Sequence, residues 1–236
     1  MEKLSVIIPC YNEEQTIEQV IEKVIAVDLP KGVEMEVVVV DDCSTDQSRQ
    51  KAENSVSTYP TVQLITHPKN RGKGACIKTG LAICTGTIVL IQDADFEYDP
   101  RDYNKLLEPF LAGYADVVYG SRFIGNGPHR ILFYFHTIGN KFLTSFSNLF
   151  TQLNLTDMET GYKMFRKGII DQVKLQEERF GFEPEVTAKI SRIKNIRIYE
   201  VGISYFGRTY QEGKKITWRD GFRTLYCILK YNLFAR

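Results

Sequence analysis

The stretch Ile88-Val89-Leu90-Ile91-Gln92-Asp93-Ala94-Asp95 passes from four consecutive aliphatic residues to a pair of acidic ones. An aliphatic run without polar alternation is typical of a strand buried on both faces, as in a parallel sheet covered by helices. Similar runs occur at residues 6–8, 37–40, 62–65 and 117–119, and helical patterns lie between them. The sequence therefore predicts an α/β fold with a mostly parallel, doubly wound sheet and helices on both faces.

Polar segments follow three of these runs. Residues 9–13, 41–46 and 92–95 come directly after the first, second and fourth predicted strands. The carboxyl ends of parallel strands lie along one edge of a sheet, and open α/β sheets bind their ligands beyond that edge. We therefore expect the three segments to line one crevice.

The acidic residues of this crevice have the spacing of metal ligands. Asp93 and Asp95 are separated by one small residue, and Glu97 follows two positions later. Neighbouring carboxylates repel each other and are costly at a buried strand end unless a cation lies between them. Hard oxygen ligands suit Mg²⁺ or Mn²⁺, so we expect these three residues to hold one of these ions. A solvated surface turn is the alternative interpretation of the D-x-D pattern alone.

A cationic, glycine-containing segment lies at residues 69–75, Lys-Asn-Arg-Gly-Lys-Gly-Ala, between a predicted strand and a predicted helix. The amino terminus of a helix attracts anions, and the cations strengthen that attraction. The glycine spacing is not that of a P-loop. The segment predicts either a phosphate contact or a flexible charged turn.

Taken together, these segments resemble glycosyltransferase family 2, and within it the dolichyl- or polyprenyl-phosphate mannosyl- and glucosyltransferases. The matching pieces are VIIPCYNE at 6–13, VVDDCSTD at 39–46, NRGKG at 70–74, QDAD at 92–95, GSR at 120–122 and DMETGYK at 157–163. The resemblance implies the family's A-type fold, which binds a nucleotide sugar.

The resemblance also implies roles for individual residues. The nucleotide sugar would be bound by Pro9, Tyr11, Glu13, Asp41, Asp42, Arg71, Gly72, Asp93 and Ala94. Of these, the first four would line the base and the ribose, and Asp42 would support the same pocket. Asp93 and Asp95 would hold the metal that bridges the diphosphate, and the catalytic residues would be Asp95, Arg122 and Arg208.

Two positions depart from the family's pattern. Glu97 stands where the lipid-phosphate branch often has glutamine, and His136 stands where that branch places an arginine for the acceptor phosphate. Asn140 follows His136 by one helical turn. A different charge at the first position leaves the choice of metal open, and the second position weakens the likeness on the acceptor side.

The acceptor side contains several cations, and three of them, Arg208, Lys214 and Lys215, lie in a segment that resembles the family's mobile acceptor loop, at 206–215. The predicted acceptor-binding residues are Arg122, His136, Asn140, Arg208, Lys214 and Lys215. An anionic lipid phosphate needs only cations to orient it, whereas a hydroxyl acceptor needs a general base. Asp157 and Glu159 are the candidates for that base. A nucleotide-sugar-binding module without transferase activity is a third interpretation.

Composition and charge indicate which partners and which cellular compartment to expect. The 236 residues carry a net charge of +1, which argues against a nucleic-acid partner. No signal peptide or membrane-spanning run is predicted, and the five cysteines lack a C-x-x-C pair, so we expect a reducing cytoplasm. Helical patterns at 130–155 and 222–234 predict either core packing or interfacial helices that seat the protein on the inner face of a membrane, where an integral-membrane partner could join it.

The predicted organisation is one compact domain with two halves. Residues 1–125 form the nucleotide-sugar-binding half, and residues 126–236 form the acceptor-side half. Outside the motifs, the sequence predicts that His67 is a plain loop residue. Glu183 and Glu185 flank a proline at a predicted helix start and are expected to act as cap and dipole partners.

Overall fold

The computed structural model describes residues 1–125, 128, 130–131, 133–212 and 218–234. Within these residues, seven strands form one sheet. They are β1 (Glu2–Cys10), β2 (Val33–Asp41), β3 (Val62–Thr66), β4 (Ile88–Ile91), β5 (Val117–Ser121), β6 (Lys163–Arg166) and β7 (Ile198–Gly202). The order across the sheet is β3-β2-β1-β4-β6-β5-β7.

The helices connect these strands. They are α1 (Ile17–Ile25), α2 (Ser48–Thr58), α3 (Lys73–Ile83), α4 (Tyr103–Leu111), α5 (Tyr134–Thr151), α6 (Lys167–Ile170), α7 (Phe182–Ile190) and α8 (Trp218–Leu229). Short 3₁₀ helices lie at Pro100–Asp102 and Tyr210–Glu212, and a short π-helix lies at Lys230–Phe234. Helix α5 is shorter than the predicted segment 130–155. It ends where Gln152 adopts a left-handed conformation with φ of 58°.

The pairing confirms the prediction of a mostly parallel sheet. Strand β1 pairs in parallel with β2 and β4, β2 pairs in parallel with β3, and β5 pairs in parallel with β7. Strand β6 runs antiparallel between β4 and β5. The sequence did not predict β6 and β7, because β6 spans only Lys-Met-Phe-Arg and β7 is half-exposed at one edge of the sheet.

Helices cover both faces of the sheet, as predicted. Val6 and Ile8 of β1 belong to a buried cluster that includes the apolar sides of α1 and α4. Ile7, between them, faces the opposite side and packs in a cluster with Cys76 of α3. Helix α7 covers the same side as α3 farther along the sheet, where Val186 packs with Ile77. This double cover fixes the strands and brings the loops after β1, β2 and β4 to one edge.

Candidate active site

The loops after β1, β2 and β4 meet at the carboxyl edge of the sheet, as the sequence predicted. The backbone N–H of Asn12 donates to the Ser44 hydroxyl at 3.0 Å, which ties the loop after β1 to the loop after β2. The Thr16 hydroxyl donates to the carbonyl oxygen of Ala94 at 2.6 Å, which ties the start of α1 to the loop after β4. These contacts build one crevice from segments that are far apart in the sequence.

Three carboxylates of this crevice share one arginine. The Arg208 guanidinium donates from Nη2 to Asp95 Oδ2 at 2.9 Å and from Nη1 to Glu13 Oε2 at 3.2 Å. The backbone N–H of Arg208 donates to Glu97 Oε1 at 2.7 Å. The segment after β7 therefore reaches across the crevice and contacts the loops after β1 and β4.

The carboxyl group of Asp95 lies in surroundings that favour an additional cation. Burial, together with the carboxylates of Asp93 and Glu97, raises its pKa to about 7, although Arg208 acts to lower it. A divalent ion would relieve this repulsion, and carboxylate oxygens are the donors that Mg²⁺ and Mn²⁺ prefer. The donor set around Asp93 and Asp95 therefore fits the expected metal.

The side chain of Glu97 accepts hydrogen bonds from the segment that follows β7. Its Oε2 accepts from the Tyr205 hydroxyl at 3.0 Å, and its Oε1 accepts from the backbone of Arg208. Each oxygen keeps a second lone pair, so a role for Glu97 as third metal ligand stays a prediction.

Lys73 forms an ion pair with Asp93. The sequence did not predict Lys73 individually as a site residue. Its Nζ lies 2.8 Å from Asp93 Oδ1 and 3.1 Å from Glu183 Oε1. Burial alone would lower the pKa of Lys73, but the two carboxylates raise it well above its usual value. Burial alone would raise the pKa of Glu183, but Lys73 and Lys163 lower it.

This pairing changes the interpretation of Glu183. Its carboxylate holds Lys73, in addition to lying in the acidic first turn of α7. Glu183 lies 110 positions from Lys73 along the chain, so no local pattern could have revealed the pair.

Asp42 and His67 form a buried support for the cationic loop. Both carboxylate oxygens of Asp42 accept from the backbone N–H groups of Arg71 and Gly72, at distances of 2.6–3.1 Å. His67 Nδ1 lies 2.7 Å from Asp42 Oδ1, and His67 Nε2 lies 2.9 Å from the Thr79 hydroxyl. The prediction that His67 is a plain loop residue was wrong: it is buried and links Asp42 to α3.

The cationic loop itself is tightly packed. Gly72 has φ of 101°, and a Cβ atom there would lie 2.6 Å from the carbonyl oxygen of Glu178, so the position requires glycine. The Arg71 guanidinium pairs with the Glu178 carboxylate at 3.1 Å near the surface. The alternative of a flexible charged turn does not describe this segment.

A cavity of about 370 Å³ lies beside the crevice, lined by Asp41, Cys43, Ser44, Arg49, Thr66, His67 and Pro68. Asp41 ends β2, and its Oδ2 accepts from the backbone N–H of Ser44 at 3.2 Å. Its Oδ1 is buried and has no hydrogen-bond partner among the residues described. An unpartnered acceptor beside a cavity is suited to a ligand hydroxyl or N–H group. Pro9 lies in β1, and Tyr11 is 38% exposed in the loop that follows.

On the acceptor side, Arg122 is paired with Asp157. The guanidinium donates from Nε to Asp157 Oδ2 at 2.6 Å and from Nη2 to Oδ1 at 2.8 Å, and Asp157 is fully buried. A carboxylate held by two such bonds is poorly placed to serve as a base. Glu159 differs, because its Oε1 is buried without a hydrogen-bond partner in the described part of the chain. Burial and, after it, the Glu183 carboxylate raise the pKa of Glu159 to about 7, although Lys163 and Arg122 act to lower it.

The remaining predicted acceptor residues lie on or beyond α5. His136 and Asn140 occupy its first two turns, where the Thr144 hydroxyl donates to Asn140 Oδ1 at 3.2 Å. Lys214 and Lys215 lie outside the described residues.

Two chain segments expose large apolar side chains. On and before α5 they are Ile131, Phe133, Tyr134, Phe135, Ile138, Phe142 and Leu149, and near the end of the chain they are Phe222, Tyr226, Leu233 and Phe234. Core packing therefore does not account for these faces. None of the helices described has both the length and the apolar character that a membrane span requires.

Comparison with known proteins agrees with this geometry. The family model described as Glycosyl transferase family 2 matches residues 5–174. A dolichol-phosphate mannosyltransferase of Pyrococcus furiosus is 27% identical over 97% of this chain and 64% of its own length. A dodecaprenyl-phosphate galacturonate synthase of Rhizobium johnstonii is 25% identical over 99% of this chain and 68% of its own length. The chain thus spans about two thirds of the length of these curated relatives.

Solved structures confirm the fold. The glucosyl-3-phosphoglycerate synthase of Mycobacterium tuberculosis, crystallised with Mn²⁺, UDP and glucosyl-3-phosphoglycerate, superimposes with a TM-score of 0.75. The match covers 98% of this chain and 80% of that chain, at 20% sequence identity. The expected A-type fold is therefore confirmed.

Proposed function

The chain belongs to glycosyl transferase family 2, and from that premise we propose that it transfers a hexose from a nucleotide sugar to a polyprenyl or dolichyl phosphate with inversion. GDP-mannose and UDP-glucose are the donors we favour. The observation that carries the proposal is the carboxylate cluster of Glu13, Asp93 and Asp95, which faces Lys73 and Arg208 at the carboxyl edge of the sheet.

On the donor side, Asp93 and Asp95 would hold Mg²⁺ or Mn²⁺, and the bound ion would supply Lewis-acid stabilisation to the departing diphosphate. Lys73 fixes the orientation of Asp93 through its 2.8 Å contact. The unpartnered Oδ1 of Asp41 would accept from the ribose or the base in the adjoining cavity. Asp42 supports the donor site indirectly, because it holds the loop that leads into α3.

On the acceptor side, the available chemistry favours an anion. Arg208 supplies a guanidinium group that can match two phosphate oxygens, and Arg122, whose Nε and Nη2 are paired with Asp157, adds positive charge nearby. A lipid phosphate is already a nucleophilic anion, so the transfer needs orientation and no general base. The curated relatives named above are, by their names, polyprenyl-phosphate and dolichol-phosphate sugar transferases.

The exposed apolar faces support seating on a membrane surface. Phe135 is 82% exposed at the start of α5, and Phe234 is 80% exposed near the end of the chain. Aromatic and aliphatic side chains of this kind insert into the headgroup region of a bilayer and would bring the site to its lipid acceptor. The proposed location is the cytoplasmic face of the membrane, with an integral-membrane protein as a further partner.

A hydroxyl acceptor on a growing glycan is the second candidate, and Glu159 is the observation in its favour. Its buried, unpartnered Oε1 and its raised pKa, about 7, are properties of a general base at neutral pH. Asp157, the other candidate base, is occupied by Arg122. This alternative would be favoured if label from the donor entered a glycan and not the lipid phase, and if Glu159→Gln lowered that transfer by about a hundredfold or more while retaining donor binding.

The proposal is tested by incubating the protein with membranes, Mn²⁺ and sugar-labelled GDP-mannose or UDP-glucose, followed by extraction with organic solvent. We expect label in the lipid phase from one of the two donors, and no label with Asp95→Asn. No lipid-phase label from either donor would refute the assignment of the acceptor. Label released into the aqueous phase as free sugar would show that the donor is bound and hydrolysed without transfer to the lipid.

A further inference from the structure

The segment from Tyr205 to Glu212 is docked onto the loop after β4. Tyr205 forms an isolated bridge with Tyr98, and the backbone N–H of Phe206 donates to the carbonyl oxygen of Glu97 at 2.9 Å. The backbone N–H of Arg208 donates to the side chain of Glu97. The segment is thus fixed by both the backbone and the side chain of Glu97.

This docking places the Arg208 guanidinium where the expected divalent ion has its ligands. Nη2 lies 2.9 Å from Asp95 Oδ2, and the guanidinium also contacts both Glu13 oxygens, at 3.2 and 3.4 Å. The Arg208 side chain is only 17% exposed. The other Asp95 oxygen accepts from the backbone of Glu97 at 3.1 Å.

We propose that Arg208 is the internal counter-cation of Asp95 before donor binding, and that a metal-bound nucleotide displaces it, so that the acceptor anion is bound second. This inference rests on the proposed function and adds to it the exchange of partners by Arg208. Arg208 thereby serves two partners in turn: the carboxylates of Glu13 and Asp95, and then the phosphate of the acceptor.

The physical reason is competition for one carboxylate. A divalent ion and a guanidinium on the same oxygen repel each other, so tight binding of one weakens the other. Once the Arg208 guanidinium is released from Asp95, it has lost a charged partner. A phosphate of the acceptor can replace that partner, because two phosphate oxygens can accept from one guanidinium. Coupling between two ligands is reciprocal. The factor by which donor binding strengthens acceptor binding must therefore equal the factor by which acceptor binding strengthens donor binding.

The first test measures Mn²⁺ binding without nucleotide, by the paramagnetic resonance signal of free Mn²⁺ during titration. Arg208→Gln removes the competing charge, so we expect its Kd for Mn²⁺ to fall by about tenfold, within the usual range of coupling between sites. Arg208→Lys keeps the charge with a single point contact and should lie between the two. Arg197→Gln is the matched control, since it removes one positive charge from an arginine that pairs with Asp116. Equal Kd values for wild type and Arg208→Gln, or no measurable binding by either protein, would overturn the inference.

The second test measures binding of farnesyl phosphate to the wild type and to Arg208→Gln, with Mn²⁺ alone and with Mn²⁺ plus UDP or GDP. We expect the nucleotide to strengthen farnesyl phosphate binding by about tenfold in the wild type and to have no such effect in the variant. Equal enhancement in both proteins would contradict the exchange of partners. If neither UDP nor GDP binds, the proposed function fails, whereas the Mn²⁺ titration still decides the role of Arg208.

Discussion

Lys73 Nζ lies 2.8 Å from Asp93 Oδ1 and thereby joins the first residue of α3 to the loop after β4. Glu183 of α7 holds the same ammonium at 3.1 Å. Replacement by Lys73→Gln would leave two largely buried carboxylates without their shared cation. We expect the free energy of unfolding to fall by about 2–3 kcal/mol, measured by urea denaturation.

The control for this prediction is Lys78→Gln on the same helix, whose ammonium is 4.0 Å from the Glu178 carboxylate and is more exposed. Its effect should be clearly smaller. Equal losses in the two variants would mean that Lys73 has no special role beyond its charge.

Arg122 and Asp157 form the second pair to be tested. Because Asp157 is fully buried and the Arg122 side chain is 16% exposed, Asp157→Asn leaves a guanidinium without its counter-charge in the interior. We expect a loss of about 3 kcal/mol in the free energy of unfolding. Asp116→Asn is the matched control, since its partner Arg197 is 51% exposed, and it should cost much less. Unchanged stability of Asp157→Asn would refute the structural pairing.

Gly161 tests the packing beneath the metal site. A Cβ atom at this position would lie 2.4 Å from Asp93 Oδ2 and 2.8 Å from the Tyr98 ring, so Gly161→Ala must displace the carboxylate. We expect Mn²⁺-dependent nucleotide binding to weaken by about tenfold to a hundredfold, as for other changes that disturb the orientation of a metal ligand. Gly168→Ala, where a Cβ would meet nothing within 4 Å, should leave binding unchanged. Normal nucleotide binding by Gly161→Ala would contradict the assignment of Asp93 as a metal ligand.

Glu36 predicts how stability depends on pH. Burial alone would raise its pKa, but hydrogen bonds from Lys3, Ser5 and Thr85 lower it to about 2, from an ordinary value of 4.5. The folded-state pKa is depressed, so this stabilisation is fully present above the unfolded-state pKa and disappears as pH falls toward 2. We expect Glu36→Gln to lose about 2 kcal/mol at pH 7. The difference from the wild type should shrink below about pH 4.5 in acid unfolding experiments; a constant difference would contradict the depressed pKa.

The strand-to-helix alternation and the polar strand ends could be predicted from the sequence, because both depend on local patterns. The aliphatic run before Asp93 is a buried strand, and its acidic continuation lies in the crevice. Strands β6 and β7 could not be predicted in this way. Strand β6 is only four residues long and lies between two partners that are distant in the chain.

The supporting contacts of the site were missed for the same reason. The pairing of Lys73 with Glu183 and that of His67 with Asp42 both join segments that the sheet brings together, and neither leaves a short-range signal. The resemblance to the family named Arg208 as a catalytic and acceptor-binding residue, and these roles stay a prediction. It could not reveal that Arg208 contacts Asp95 and Glu13.

The most direct test of the central claim measures binding of UDP and GDP to the wild type and to Asp95→Asn, by calorimetry with Mn²⁺ and again with a chelator. We predict that one of the two nucleotides binds the wild type in the presence of Mn²⁺, and that the chelator or the Asp95→Asn change weakens this binding by about a hundredfold. If neither nucleotide binds, or if binding is equally strong without metal and without the Asp95 carboxylate, then residues 93–95 are not the anchor of a nucleotide-sugar site.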